Sequence, residues 1–283
     1  MLNGFASGCI YGLVALGFVL IYKATEMVNF AQGDLLMLGA FVAFTTIAML
    51  GLPYWLGFAL AVLFMAGFGY LLDVVILRPI IGQPQFAVVM LTIGLGFVFR
   101  SGAGMIWGTE ILAFDTPFSG SVSRFAGLVV ADVNLAIIVG TAILCAALFA
   151  FFRFTRLGVA MQASSQNQLA AYYMGIPVRT VFSLIWGISA GVAAVAGVLL
   201  APVALIETSM GLIGLKAFAA AVLGGFGSIP GAVIGGLIIG VIEQFSGIYF
   251  AEGFKDVAAY VVLLIVLVVY PQGLLGQIGR KRV

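Results

Sequence analysis

Residues 153–179 read RFTRLGVAMQASSQNQLAAYYMGIPVR, the one long polar stretch in a chain otherwise written almost entirely in apolar residues. The stretch holds Arg153, Arg156 and Arg179 and no acidic residue. A connection this basic, set between two apolar runs, has the signature of a cytoplasmic loop, because Lys and Arg near the ends of membrane spans gather on the cytoplasmic side. It therefore orients the spans on either side of it.

Inside this loop, Ser165-Gln166-Asn167-Gln168 reads as a capping box, in which a Ser hydroxyl accepts from the N–H three residues on and the Gln amide reaches back. A helix is expected from there through Leu169-Ala170-Ala171-Tyr172-Tyr173-Met174. It should stop at Gly175, which takes the left-handed C-terminal conformation cheaply, with Pro177 forbidding continuation. About nine residues at ~1.5 Å each give ~13 Å against a hydrocarbon core of ~30 Å, so this helix does not cross. Leu169, Tyr172, Tyr173 and Ile176 share one face. Spacing alone leaves two readings open, an ordinary polar loop with a turn of helix in it or a short amphipathic helix at the membrane surface.

Working outward, hydrophobic residues make up 64% and charged residues 8% of the 283, against roughly 45–50% and about 25% in soluble domains. The chain is read as an all-α polytopic integral membrane protein, a helical bundle in the lipid bilayer. The 38 glycines suit helices whose backbones touch. A formal charge of +2 gives no hint of a nucleic-acid partner. Cys9 and Cys145 each lie inside an apolar run, without metal or redox spacing. Histidine is absent, which removes the commonest metal ligand and proton carrier. No Gly-x-x-x-x-Gly-Lys-Ser/Thr phosphate loop occurs, so no catalytic residues are assigned and any pumping borrows its energy from elsewhere. No basic segment precedes the first apolar run, which reads as a retained span.

About eight apolar segments follow, in a single transmembrane domain over 1–283. They lie at 6–22; from the polar Asn29-Phe30-Ala31-Gln32-Gly33-Asp34 through Leu50; at 54–77; at 86–107, interrupted by Gly94, Gly96 and Arg100-Ser101-Gly102; at 133–152; at 180–201; at 213–248, which is broken; and at 256–271. The connection 108–132 carries Glu110, Asp115 and Asp132 against only Arg124, as suits an extracytoplasmic loop. Counting from the basic loop puts Lys23, Arg78 and the tail Arg280-Lys281-Arg282 in the cytoplasm and the N-terminus on the other side. In 213–248, the piece Lys216–Leu223 is too short to cross before Gly224-Gly225-Phe226-Gly227-Ser228-Ile229-Pro230-Gly231. A bare turn at membrane depth survives only inside protein or against water, so a discontinuous or re-entrant segment is expected there, contributing an even number of crossings.

Interrupted helices in the first and last thirds of a chain mark translocation paths, because freed backbone groups can solvate a polar ligand. On that ground Asn29, Gln32, Gly224, Gly225, Gly227, Ser228 and Pro230 are candidates, beside the plainer reading that they serve packing and the interface. Asp34, Asp73, Arg100, Lys216 and Glu243 lie in or at the edges of apolar runs, where an unpaired charge costs at least ~2.5–3.5 kcal/mol. They should be paired or face water. Asp73, Arg78 and Lys216 are read as snorkelling toward the interfaces, while Arg100 and Glu243, placed deeper, are assigned to the path.

Three separated motifs carry a resemblance. Tyr11-Gly12-Leu13-Val14-Ala15-Leu16-Gly17, then Val28-Asn29-Phe30-Ala31-Gln32-Gly33-Asp34 with Leu38-Gly39-Ala40-Phe41, then Leu223 through Ala232 together resemble the LivH-type permease of branched-chain amino-acid ABC importers, from first span to last. Ala170-Ala171-x3-Gly175 is similar to the loop by which such permeases dock on their ATPases, with Leu169 where the family has Glu. The resemblance implies a coupling loop at 153–179, with Ser165, Gln168, Leu169, Ala170, Ala171, Tyr172 and Gly175 as its contacts. It further implies a second permease of LivM type, two cytoplasmic ATPases that use the ATP, a periplasmic substrate-binding protein, and a bacterial inner-membrane location. The chain itself is expected to bind no cofactor or metal. Two other classes share the composition: an ion-coupled secondary transporter or channel, and a purely structural membrane subunit. Relatives of this type handle leucine, isoleucine and valine, and others urea, amides or other amino acids.

Overall fold

The computed structural model describes residues 2–80, 83–125, 128–250, 253–270 and 272–276. The Arg280-Lys281-Arg282 tail lies outside them. Among the described residues, seven helices are long and apolar enough to cross a membrane: α1 (Leu2–Thr25), α2 (Gln32–Phe44) with the π-helical turn Thr45–Met49, α3 (Tyr54–Leu72) continued by irregular turns to Ile80, α4 (Gln85–Trp107), α5 (Asp132–Phe154), α8 (Val178–Ala204) and α10 (Ile229–Tyr249). Between α5 and α8 lie the short α6 (Arg156–Gln166) and α7 (Gln168–Tyr173), and α9 (Ile213–Gly224) and α11 (Phe254–Val269) complete the bundle. The connection after α4 folds into an antiparallel hairpin of β1 (Val122–Phe125) and β2 (Leu128–Ala131), an element that the sequence reading had as a plain loop.

α1 and α8 are buried nearly all round, whereas α5 buries few residues and turns most of its apolar surface outward. A helix apolar on every side belongs inside a bundle. α1 packs antiparallel to α10 along a line of small residues. A Cβ on Gly8 would stand 2.8 Å from Leu237 Cα and 2.9 Å from Gly236 O, and one on Gly236 would collide with the Gly12 backbone. Backbones this close require glycine, the small-residue contact by which helices associate in lipid, where the hydrophobic effect no longer drives them together.

Bonds between elements sort the helix ends into two faces. Asn134 Nδ2 donates to Asn3 Oδ1 at 2.7 Å, and Trp107 Nε1 to Thr45 Oγ1 at 2.7 Å, joining the start of α1, the end of α2, the end of α4 and the start of α5. That face also carries Glu110, Asp115, Asp132 and Glu207. At the opposite face, Arg78 donates to the Arg179 carbonyl and to Ser183, and α1 ends beside Phe152 and Met161. Lys23, Arg78, Arg153, Arg156 and Arg179 collect there. Leu274 N donates to Leu223 O at 2.8 Å and Leu275 N to Gly224 O at 3.2 Å, so the segment after α11 reaches the basic face and satisfies carbonyls left open at the end of α9. The described chain thus begins at the acidic face and finishes at the basic one.

The broken segment is present, but its geometry differs from the expectation. α9 ends at Gly224, Gly225 turns with φ +95°, and Ser228 caps α10 by accepting from Gly231 N at 3.1 Å with Pro230 in the first turn. Phe226 packs on Tyr22, near the end of α1, which places this turn toward the basic face and not at mid-depth. The interruption that reaches into the bundle lies at the other end of α9, where a 3₁₀ turn, Thr208–Leu212, runs inward from the acidic face, brings Gly211 against Asp34 and leads into the helix.

Candidate functional site

After α1 the chain turns at the exposed Glu26, with φ +56°, and runs back into the bundle, where Asn29 and Ala31 are buried and α2 starts beside Gly17 of α1 and Ser189 near the middle of α8. A non-helical segment in the bundle interior needs every polar group answered. Asn29 Oδ1 accepts from Ala31 N at 3.1 Å, Asn29 Nδ2 donates to Gln32 Oε1 at 3.2 Å, and Gln32 Nε2 donates to Ser189 O at 3.3 Å. Ser189 Oγ donates to Gly17 O at 3.0 Å, and Phe30 N donates to Thr92 Oγ1 at 3.2 Å. Asn29 and Gln32 are buried, held by this knot.

One turn on, Asp34 meets Arg100 of α4, with Nε to Oδ1 at 3.3 Å and Nη2 to Oδ1 at 3.0 Å. The carboxylate side chain is 7% exposed and the arginine 31%. The N-terminal ends of α2 and α9 come together here, Gly33 against Gly214, and Gly211 of the 3₁₀ turn presses on the carboxylate. Two helix N-termini facing an aspartate lower the cost of holding its charge inside the bundle. Beside the pair opens a cavity of about 370 Å³, with Phe18, Phe30, Ile93, Phe97, Leu212 and Leu215 on its walls.

Glu243 sits elsewhere. Lys216 Nζ donates to Glu243 Oε1 and to Asp256 Oδ1, each at 2.8 Å, and Tyr11 donates to Glu243 Oε2. Lys216 thus reaches the exposed Asp256 at the start of α11, as a place near that interface requires, and is at the same time tied to a 4% exposed glutamate, a buried partner that snorkelling alone does not provide. Asp73 does not snorkel: it is buried and accepts from Ser183 Oγ at 2.6 Å. Arg100 and Glu243, paired in the sequence reading as one path, belong to separate clusters with no bond between them among the described residues. Gly224, Gly225, Gly227, Ser228 and Pro230 stand apart from both, in the turn toward the basic face. Asp34, Gly96 and Gly211 were not among the candidate path residues. The only signal available was that each of Asp34 and Arg100 is a lone charge within an apolar run, and nothing in the sequence pairs the two.

At the basic face, Ser165 is not a cap. It lies in the last turn of α6, where its hydroxyl donates to Gln162 O at 2.8 Å. The cap of α7 is Asn167, whose Oδ1 accepts from Ala170 N at 2.9 Å. The helix then runs from Gln168 to Tyr173, with Gly175 at φ +82° beyond it. Ala171 is buried, while Leu169, Tyr172, Tyr173 and Met174 are 64%, 67%, 78% and 83% exposed, an apolar knob on a charged face. Ile176 turns inward onto the core. Gln168 Nε2 donates to Ala24 O at 3.1 Å, fastening α7 to the end of α1.

Comparison with known proteins bears on what this arrangement serves. Residues 1–270 match the family described as branched-chain amino acid transport system / permease component. The chain is 35% identical, over 98% of its own length and 94% of the relative's, to the high-affinity branched-chain amino acid transport system permease protein LivH of Salmonella typhimurium. It is 34% identical to the corresponding permease protein BraD of Pseudomonas aeruginosa, over 98% and 95%. A probable branched-chain amino acid transport permease protein LivH of Methanocaldococcus jannaschii is 29% identical, over 95% and 89%. Among solved structures, PsaBC from Streptococcus pneumoniae in complex with Fab superposes with a TM-score of 0.51 at 17% identity, covering 95% of this chain and 91% of that one, a likeness of fold alone.

Proposed function

Since the chain belongs to the branched-chain amino acid transport permease family, we propose that it is the membrane subunit of an ATP-binding-cassette importer, translocating leucine, isoleucine, valine or related amino acids across the inner membrane. The observation that carries this reading is the match along the whole chain to permeases of that name. The subunit works with a second permease, two ATPases and a periplasmic binding protein, and it binds no cofactor of its own. The collection of Lys23, Arg78, Arg153, Arg156 and Arg179 at one face supports a cytoplasmic placement for it, with the N-terminus periplasmic.

Residues 153–179 are the coupling element. Leu169, Tyr172, Tyr173 and Met174 form the docking knob, and the Gln168 bond to Ala24 carries its movement into α1, the helix around which α8, α9 and α10 pack. ATP binding closes the ATPase pair, shifts α6 and α7, and changes the relative stability of outward and inward conformations by differential contact. The test is uptake into proteoliposomes holding the assembled importer and its binding protein. Accumulation of labelled leucine, isoleucine and valine only when ATP is enclosed supports the reading. Accumulation without ATP that collapses with an ion gradient replaces it with a secondary transporter.

A further inference from the structure

We infer that the Asp34–Arg100 pair and the apolar cavity beside it form a transient site in the permease itself for a zwitterionic aliphatic amino acid; this rests on the transport reading above. Both guanidinium hydrogen bonds fall on one carboxylate oxygen, Oδ1. Oδ2 has no donor and Arg100 Nη1 no acceptor among the described residues, and neither is among the atoms sealed away from solvent without a partner. The pair thus offers the cavity one free acceptor on a negative group and one free donor on a positive group, side by side.

An α-amino acid presents the complement, an ammonium and a carboxylate on one carbon. Its ammonium can lie on Oδ2 and its carboxylate on Nη1 without breaking the ion pair, closing a ring of alternating charges. A guest of net charge would leave the neutral pair with an uncompensated charge in a poorly solvated site, which is costly. The walls are aliphatic and aromatic, Phe18, Ile93, Phe97, Leu212 and Leu215 among them, and suit a hydrocarbon side chain. About 370 Å³ falls within the ~300–1,000 Å³ of small-molecule sites.

Glycine keeps the charged end open. A Cβ on Gly96 would stand 2.5 Å from Oδ2, and one on Gly211 would collide with Oδ1. Both sides of the carboxylate are therefore bounded by residues without side chains, which leaves Oδ2 reachable and Oδ1 fixed on Arg100.

The site is tested on the assembled importer in vesicles without binding protein, carrying Leu215→Cys as reporter and Cys145→Ala to remove the half-buried native thiol. The rate of alkylation by N-ethylmaleimide is measured with L-leucine, L-leucinamide, 4-methylpentanoate or urea present. The expected result is protection by leucine, slowing alkylation about tenfold at ten times its half-protecting concentration, with the cationic, anionic and neutral analogues far weaker. Asp34→Asn and Arg100→Gln abolish protection. If either fails to insert, Gly96→Ala, which places a methyl against Oδ2, is read in its place and should also abolish it. Equal protection by leucinamide or 4-methylpentanoate, or none by leucine in an importer that takes leucine up, overturns the site. An importer that takes up no branched-chain amino acid overturns the transport reading instead, while leucine protection in it would leave the site standing.

Discussion

Gln168, the first residue of α7, donates its side-chain amide to the backbone carbonyl of Ala24 in the last turn of α1, 144 residues earlier in the chain. That carbonyl is one of the four that a helix leaves without an internal partner at its end. A surface helix of only six residues, Gln168–Tyr173, is thereby fastened to the most deeply buried helix of the bundle. Removing the amide by Gln168→Ala should cost about 1 kcal/mol of stability, the usual worth of one hydrogen bond. The larger effect should be on coupling, with ATP hydrolysis retained and leucine uptake per ATP reduced several-fold, read by measuring both in the same vesicles.

The exposed knob makes a second prediction. Tyr172→Asp and Tyr173→Asp place charge in an apolar contact without touching the core, so the variants should insert and unfold like the parent. Co-purification with the ATPase subunits should be lost, because an unpaired charge buried in an interface costs several kcal/mol. Parent-like co-purification would remove α7 from the interface.

A third concerns Lys216. Its ammonium neutralises Glu243 inside the bundle and reaches Asp256 at the start of α11. Lys216→Met leaves Glu243 buried without its cation, a change that typically costs about 3–5 kcal/mol. Thermal unfolding in detergent should show a large loss for Lys216→Met, and Glu243→Gln added to it should restore most of that loss. If the double variant is no better than the single, the pair is not the source of the effect.

The glycines separate by neighbour. Gly236→Val drives a side chain into the α1 backbone at Gly12 and should abolish folded protein, whereas Gly94, with open space where a Cβ would go, should accept Ala with no loss. Replacing a mid-helix glycine by alanine stabilises by up to about 1 kcal/mol. Expression and thermal stability of the two variants, side by side, measure the contrast.

Much of this architecture was legible in the sequence because the bilayer fixes helix length. The apolar runs 86–107, 133–152 and 180–201 lie inside α4, α5 and α8 to within three residues at each end. What escaped was set by contacts between distant residues. Ser165 and Asn167 are both good caps two residues apart, and only the structure shows that α6 continues through Ser165 and leaves the cap to Asn167. The break around 224–231 was visible in its glycines and proline. That the chain also turns into the bundle at Thr208–Leu212 was not, because nothing local marks where Gly211 meets Asp34. The place of Lys216 near the outer interface is legible, but its bond to the buried Glu243 is not, since its two acidic partners lie 27 and 40 residues away. In the same way, no pattern in either run ties Asp34 to Arg100.

The measurement that bears most directly on the account is crosslinking of Tyr172→Cys in the assembled importer, in right-side-out vesicles. The account predicts that this cysteine crosslinks to an ATPase subunit, with a yield that changes when ATP is trapped, and that a membrane-impermeant maleimide added outside does not reach it. Labelling of Tyr172→Cys from outside, with no crosslink to the ATPase in any nucleotide state, would contradict both the orientation and the coupling.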